Sequence, residues 1–508
     1  MAIKVTLYKW ANCGSDLRPL ELWKRLSGLV CENPISSFGT LPSLYRGFVI
    51  KASSQSRSGY IHSATVKVNF LRMVGDSYLE LSCKSHFCRE VDGVSVKVSD
   101  LPTSLQKWAR SVSSTSIQEH VTRVNEFVSY CCSVGIELSN TVLDALQVNA
   151  TIRTGSGSYK SPSFDSKLGL LDPYRRPRSC SIVVHSGNSQ VAESCISQLR
   201  LAQSRLLGQE PFVERWLSTG LEAKGFTSGD LHLVIVPDSV DFTLDLKWQR
   251  LFYTLERNGL KFKVVNQSRA SDRFVCGNLI FDLFQKAGGV PWTVDFSDPR
   301  LICAVDAGHH KELGLSRWTA CRFSKEKLRQ RIYLEDVQLA EQIPPGVCTK
   351  LFAKLSGTNS LILRDGRSHK SDRDYFAEAN LDVVEVNKRP NSVLYEQSEG
   401  GISAAQPGTY IRYPDGSILL QSAMNPYTKD YTRPIRLTSL HALTDEIISD
   451  LQGLALLPST TMSHSIRLPL PLYWADLASK LNNGDWAKVL GNGWSLQELV
   501  PELRNAMH

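Results

Sequence analysis

Two apolar runs of strand length each end in an aspartate with a glycine close behind, and no other feature limits the possible folds of this chain as strongly. They are Arg300-Leu-Ile-Cys-Ala-Val-Asp306-Ala-Gly and Ser360-Leu-Ile-Leu-Arg-Asp365-Gly. An uninterrupted apolar run marks a strand buried in the middle of a sheet, and a carboxylate at its end is delivered to the sheet's edge. A third aspartate, Asp476, follows Arg467-Leu-Pro-Leu-Pro-Leu-Tyr-Trp-Ala and is expected to open a helix. Three carboxylates converging from two strand ends and a helix suit a divalent ion. Mg²⁺ and Mn²⁺ take hard oxygen ligands and neutralise charge that builds on a phosphate.

The 508 residues, 42% hydrophobic and 21% charged, suffice for two to four globular domains. No apolar stretch approaches the ~20 residues that cross a bilayer, and no basic segment followed by an apolar core opens the chain. The expectation is a cytoplasmic protein without a membrane partner. Twelve cysteines without C-x-x-C spacing read as reduced packing residues. A net charge of +8 is compatible with a polyanionic partner without requiring one.

Residues 1 to about 100 alternate apolar and polar positions, as in Gly47-Phe-Val-Ile-Lys51 and Ala64-Thr-Val-Lys-Val-Asn-Phe70, and read as β-rich. Helical spacing appears around Leu105 to Ala109 and from Ile117 to Ser133, the second run after a Ser/Thr cluster that can cap it. From Cys180 the pattern becomes α/β. Strands are expected at 181–184, 231–236 and 262–265, with helices at about 191–207 and 246–257. Such alternation implies a parallel, doubly wound sheet with any ligand at the carboxyl ends of its strands. The expected fold class is therefore α/β behind an α+β N-terminal region.

The Arg364-Asp365-Gly-Arg367 element, then Val383-Val-Glu-Val-Asn-Lys-Arg389, then Pro469-Leu-Pro-Leu-Tyr-Trp-Ala-Asp476 resemble, in order and spacing, the PIWI domain of Argonaute proteins. The resemblance implies an N-terminal region over 1–175, a Rossmann-like MID domain over 176–297 and an RNase H-like PIWI domain over 298–508. The N-terminal part is too short for N, linker and PAZ domains together, so the implied form is a compact prokaryotic one without PAZ. The implied activity is guide-directed endonucleolytic cleavage of a complementary target, with Mg²⁺ or Mn²⁺ as cofactor and host defence as the setting. The alternative is a binder of guide and target that does not cut and signals through a separate effector protein. A third reading, a phosphohydrolase of small substrates using the same carboxylates, leaves the second α/β domain without a purpose.

On this resemblance Asp306, Asp365 and Asp476 hold the metal, with Asp306 bridging two ions. The family's fourth carboxylate is a glutamate on a mobile segment. Glu341 is preferred, ahead of the Pro344-Pro345 break, and Glu335 is the alternative. For the guide 5′ end, Lys286 matches the family's last lysine. Lys263 stands where a glutamine is expected, and Gln267 lies four residues further on. Lys247, Tyr253 and Arg257 are available on the preceding helix without the family's spacing. Lys388 and Arg467 are candidates for backbone phosphates, which position a strand without reading its sequence.

Overall fold

A computed structural model describes residues 2–10, 18–31, 38–40, 46–73, 76–113, 116–161, 166–208, 211–220, 230–238, 248, 251–252, 255, 260–311, 314–324, 329–339, 343–344, 347, 360–379, 381–390, 392–398, 401–423, 433–458 and 466–480. Among the described residues no helix is long and apolar enough to cross a membrane. The chain divides into two compact units, Met1–Gln147 with Lys388–Thr438, and Val148–Asn387 with Ser439–His508.

In the first unit β1 (Ala2–Trp10) lies in a sheet with the long hairpin of β2 (Tyr60–Met73) and β3 (Asp76–Arg89), paired from Tyr60↔Arg89 to Met73↔Asp76. Alternation along the hairpin turns Val66, Val68, Leu79 and Leu81 to one face, where they bury Val124 and Phe127 of α1 (Ile117–Ser133). That helix starts where the sequence places it, because the Ser116 hydroxyl accepts the Glu119 N–H at 3.1 Å. On the other hairpin face Glu80, 2% exposed, accepts from Asn69 at 2.9 Å and from the Ser392 hydroxyl. β4 (Leu138–Gln147) pairs with β1 and with the strand Thr409–Arg412.

The second unit opens on a parallel sheet. Its parts are β5 (Cys180–His185), α2 (Ser189–Leu207), β6 (Val213–Thr219), β7 (Leu231–Val236), β8 (Lys261–Asn266) and α3 (Arg273–Lys286). The strand order is β6-β5-β7-β8, with every pairing parallel. β6 has no counterpart in the sequence reading, because an edge strand exposed at most positions carries no apolar run. The helix expected at 246–257 falls largely outside the described residues, but Trp248, Phe252 and Leu255 pack on Val234, Val236 and Phe262.

A second sheet follows in the same unit, built from β9 (Leu301–His310), β10 (Leu315–Ser324), β11 (Arg329–Gln338), β12 (Ser360–Asp365) and β13 (Asp382–Asn387). β9, β10 and β11 form an antiparallel meander, and β12 and β13 extend it in parallel on the far side of β9. This is the RNase H-like order. One face is covered by α4 (Lys370–Glu378), whose Phe376 joins Cys303, Val305, Ile362 and Val383 in a core. α5 (Asp445–Leu456) holds the approach to β9, since its buried Asp450 accepts from the Ser297 and Asp298 N–H groups at 2.8 and 3.0 Å. The other face carries α6 (Leu470–Ser479).

α6 corrects one expectation. Asp476 does not open the helix but is its seventh residue, because Pro469 and Pro471 fit the first turn, where an amide N–H has no partner to lose. The helix reaches the sheet through Gly308. A Cβ there would lie 1.9 Å from the Ser479 carbonyl oxygen, so only glycine permits the approach. His310 Nε2 and the Ser479 carbonyl, 2.9 Å apart, close the same contact.

Two outcomes follow. Gly308→Ala should force α6 away from β9 and lower stability by about 1–3 kcal/mol, as overpacking does; a denaturant midpoint equal to wild type would show the contact to be slack. The second concerns His185 and His232, both fully buried, with His185 Nε2 and His232 Nδ1 3.1 Å apart. Burial, then the neighbouring imidazole, lowers the His185 pKa from 6.5 to about 4, so the unfolded chain binds the extra proton first. The stabilisation is complete above pH 6.5 and is lost as pH falls toward 4. The urea midpoint should decline across that window, and His185→Gln should flatten the decline; equal slopes in both proteins would contradict it.

Candidate metal centre

Adjacent parallel strands bring the first two aspartates together. The β9–β12 ladder pairs Val305 with Arg364, so Asp306 and Asp365 are the next residues on each strand and point to the same face, toward α6. β12 ends at Asp365, where Gly366 turns the chain at φ +73°. β9 does not end at Asp306: its antiparallel ladder with β10 runs on to His310. The carboxylate is freed by the end of its neighbour rather than by the end of its own strand.

Asp476 completes the set from α6. One carboxylate oxygen from each of Asp306, Asp365 and Asp476 lies within 4.8 Å of the others. Asp306 is 5% exposed and Asp476 9%. Oxygen ligands of an octahedral ion at ~2.1 Å are separated by about 3–4 Å, so small side-chain rotations would fit these three carboxylates to Mg²⁺ or Mn²⁺. The donor set is all hard oxygen, which suits those ions and not a thiolate-seeking metal.

The surroundings hold the set in place. Thr319 Oγ donates to the backbone oxygens of Asp306 at 3.2 Å and Ala475 at 2.9 Å, tying β9, β10 and α6 together at the site. The Ser479 hydroxyl donates to Asp306 Oδ2 at 3.1 Å. Lys480 Nζ lies 2.6 Å from both carboxylate oxygens of Asp476. On the reverse face Arg364, 5% exposed, pairs with Asp372 at 3.0 Å. Burial lowers the Arg364 pKa, while Asp372, Glu385, Asp365 and Asp306 favour its charge. Asp372 also accepts from the His369 and Ile343 N–H groups, at 3.1 and 3.2 Å. Glu385, from the Val-Val-Glu-Val-Asn-Lys-Arg element, accepts from the Ser368 N–H and from Arg373, fixing the turn after Asp365.

Of the two glutamate candidates, only Glu335 is among the described residues. Glu341 lies outside the described residues. Glu335 sits opposite Trp318 on the β10–β11 ladder, and Trp318 faces the α4-side core with Tyr333 and Val337. It therefore occupies the face away from the aspartates, and the alternative assignment is withdrawn. The acidic residue of β11 on the α6 face is Asp336, held by both arms of Arg317 at 2.7 Å.

The candidates for the guide 5′ end separate. Lys263 Nζ makes an ion pair with Asp282 at 3.3 Å, and Asp282 lies one helical turn before Lys286 on α3. Lys261 Nζ donates to the Lys286 carbonyl at 2.6 Å, so the start of β8 and the end of α3 gather three lysines. Gln267 is exposed beyond the opposite end of β8, roughly 20 Å away at ~3.3 Å per residue. It does not converge with Lys286. Lys247, Tyr253 and Arg257 lie outside the described residues. Arg467 is half-buried in the bend before α6, and Lys388, also half-buried, follows β13.

Sequence reading missed Gly308, Thr319, Ser479 and Lys480. The i, i+4 spacing of Asp476 and Lys480 becomes a signal only once both are assigned to one helix and its end.

No protein-family model and no curated protein sequence matches the chain. Solved structures do. A Marinitoga piezophila Argonaute in complex with a 5′-OH guide RNA and target DNA has a TM-score of 0.68 at 14% identity, over 93% of this chain and 86% of that one. A Clostridium butyricum Argonaute bound to a guide DNA and a 19-mer target DNA has a TM-score of 0.69 at 11% identity, over 95% and 88%. Drosophila Piwi has a TM-score of 0.61 at 12% identity, over 97% and 88%. With both sheet orders and these likenesses together, the chain has the fold of the Argonaute proteins, a MID-like parallel sheet followed by an RNase H-like PIWI sheet.

Proposed function

We propose that the protein binds a short guide strand and cleaves a complementary nucleic-acid strand by metal-dependent hydrolysis at Asp306, Asp365 and Asp476. The observation that carries this reading is the meeting of the three carboxylates on one face of the PIWI-like sheet. The related folds bound to guide and target support the choice of substrate over a small phosphate ester.

The chain's own groups have distinct tasks. Asp306, most enclosed and held by Ser479, is the fixed ligand around which Asp365 and Asp476 would close on an ion. When bound, Mg²⁺ or Mn²⁺ would stabilise charge on the phosphodiester and favour ionisation of the attacking water. Lys261, Lys263 and Lys286 are the cations offered to the guide 5′ end, and Arg467 and Lys388 are offered to backbone phosphates. Asp282 offsets part of the charge on Lys263. Glu341 remains the proposed fourth carboxylate, and the cell interior the proposed setting.

Asp306→Ala and Asp365→Ala should each reduce single-turnover cleavage by at least about 100-fold while leaving guide binding within a few-fold of wild type. The assay pairs DNA and RNA guides, with 5′-phosphate and 5′-hydroxyl ends, against DNA and RNA targets in Mg²⁺ or Mn²⁺. Equal loss of binding in both variants would make the aspartates structural. No cutting by wild type in any combination would leave guided binding without cleavage.

A further inference from the structure

Among the described residues Arg317, Arg364 and Lys480 pair with carboxylates of this sheet and its two helices, and they differ in their freedom to leave. Arg317 has 5% of its side chain exposed and grips Asp336 with two parallel hydrogen bonds. Arg364 has 6% exposed, on the reverse face, and is held by Asp372. Lys480 is different. Its side chain is 62% exposed, it stands just past the last turn of α6, and its single ammonium lies against both oxygens of Asp476. A lysine ammonium is a compact point charge on a flexible stem, whereas a buried guanidinium fork is fixed by its geometry.

We propose that Lys480 is a releasable counter-ion that couples metal loading to nucleic-acid binding. This rests on the reading of the three aspartates as metal ligands. In the metal-free chain Lys480 offsets the charge of Asp476, the ligand delivered by the helix rather than by the strands. A divalent ion held by Asp476 would take an oxygen that Lys480 contacts, so the two cations compete. Once displaced, the ammonium remains tethered by its stem at the same rim, where a phosphate oxygen of a bound strand can accept its hydrogen bonds. Metal then strengthens nucleic-acid binding by freeing a cation, and by linkage nucleic acid strengthens metal binding by the same factor.

The test uses the full chain and its Lys480→Met, Lys480→Arg and Asp306→Asn variants. Mn²⁺ binding is followed by paramagnetic resonance without nucleic acid. Binding of a fluorescent guide DNA–target DNA duplex is then measured in Ca²⁺ and in EDTA. Lys480→Met should bind Mn²⁺ roughly three- to tenfold tighter, as expected for removing one competing ion pair. Its Ca²⁺-dependent gain in duplex affinity should shrink by a similar factor. Lys480→Arg should retain most of the wild-type coupling. Mn²⁺ affinity and Ca²⁺-dependent gain in Lys480→Met both within twofold of wild type would overturn the proposal and leave the metal reading standing. Mn²⁺ binding that Asp306→Asn leaves unchanged would overturn the metal reading itself.

Discussion

Three carboxylates held within 4.8 Å of one another repel, and the second unit is organised around containing that repulsion. At an effective dielectric near 20, each pair of unit charges at that separation costs roughly 3 kcal/mol. Part of the offset comes from Arg364 behind the sheet, part from the Ser479 hydroxyl, and part from Lys480 at the rim. The fold does the rest by rigidity. Two aspartates stand on adjacent buried strands, which cannot drift apart without breaking the ladder they share.

The third depends on a helix instead, and so on what lets that helix approach. Gly308 is decisive because the Ser479 carbonyl occupies the space a side chain would need. Thr319 then bonds to the carbonyls of both Asp306 and Ala475, measuring the distance between strand and helix with one hydroxyl. Around the turn after Asp365, Glu385 and Asp372 accept backbone and arginine donors and leave that loop little freedom. Preorganisation of this kind is what a metal site requires, since ligand geometry must exist before the ion arrives.

Much of this was legible in the sequence, for identifiable reasons. The runs ending at Asp306 and Asp365 are apolar at nearly every position because their strands are buried on both faces, and β7, buried throughout, is legible over 231–236 for the same reason. Ser116 marked the start of α1 through its hydroxyl. What was hidden depends on neighbours distant in sequence. β6 is an exposed edge whose partner, β5, supplies its order. Asp476 is expected to open a helix, yet Pro469 and Pro471 fit that helix's first turn and Asp476 is its seventh residue. Glu335 stands in the sequence as the alternative to Glu341, and only its pairing with Trp318 fixes its face. Gln267 and Lys286 are close in sequence terms yet stand at opposite ends of one strand and helix.

The most direct test of the account is anomalous diffraction from crystals of the full chain with a guide–target duplex and Mn²⁺. Anomalous density bonded to oxygens of Asp306, Asp365 and Asp476 at about 2.0–2.2 Å is the expected result. Mn²⁺ density elsewhere in the protein and none at the three carboxylates would contradict it.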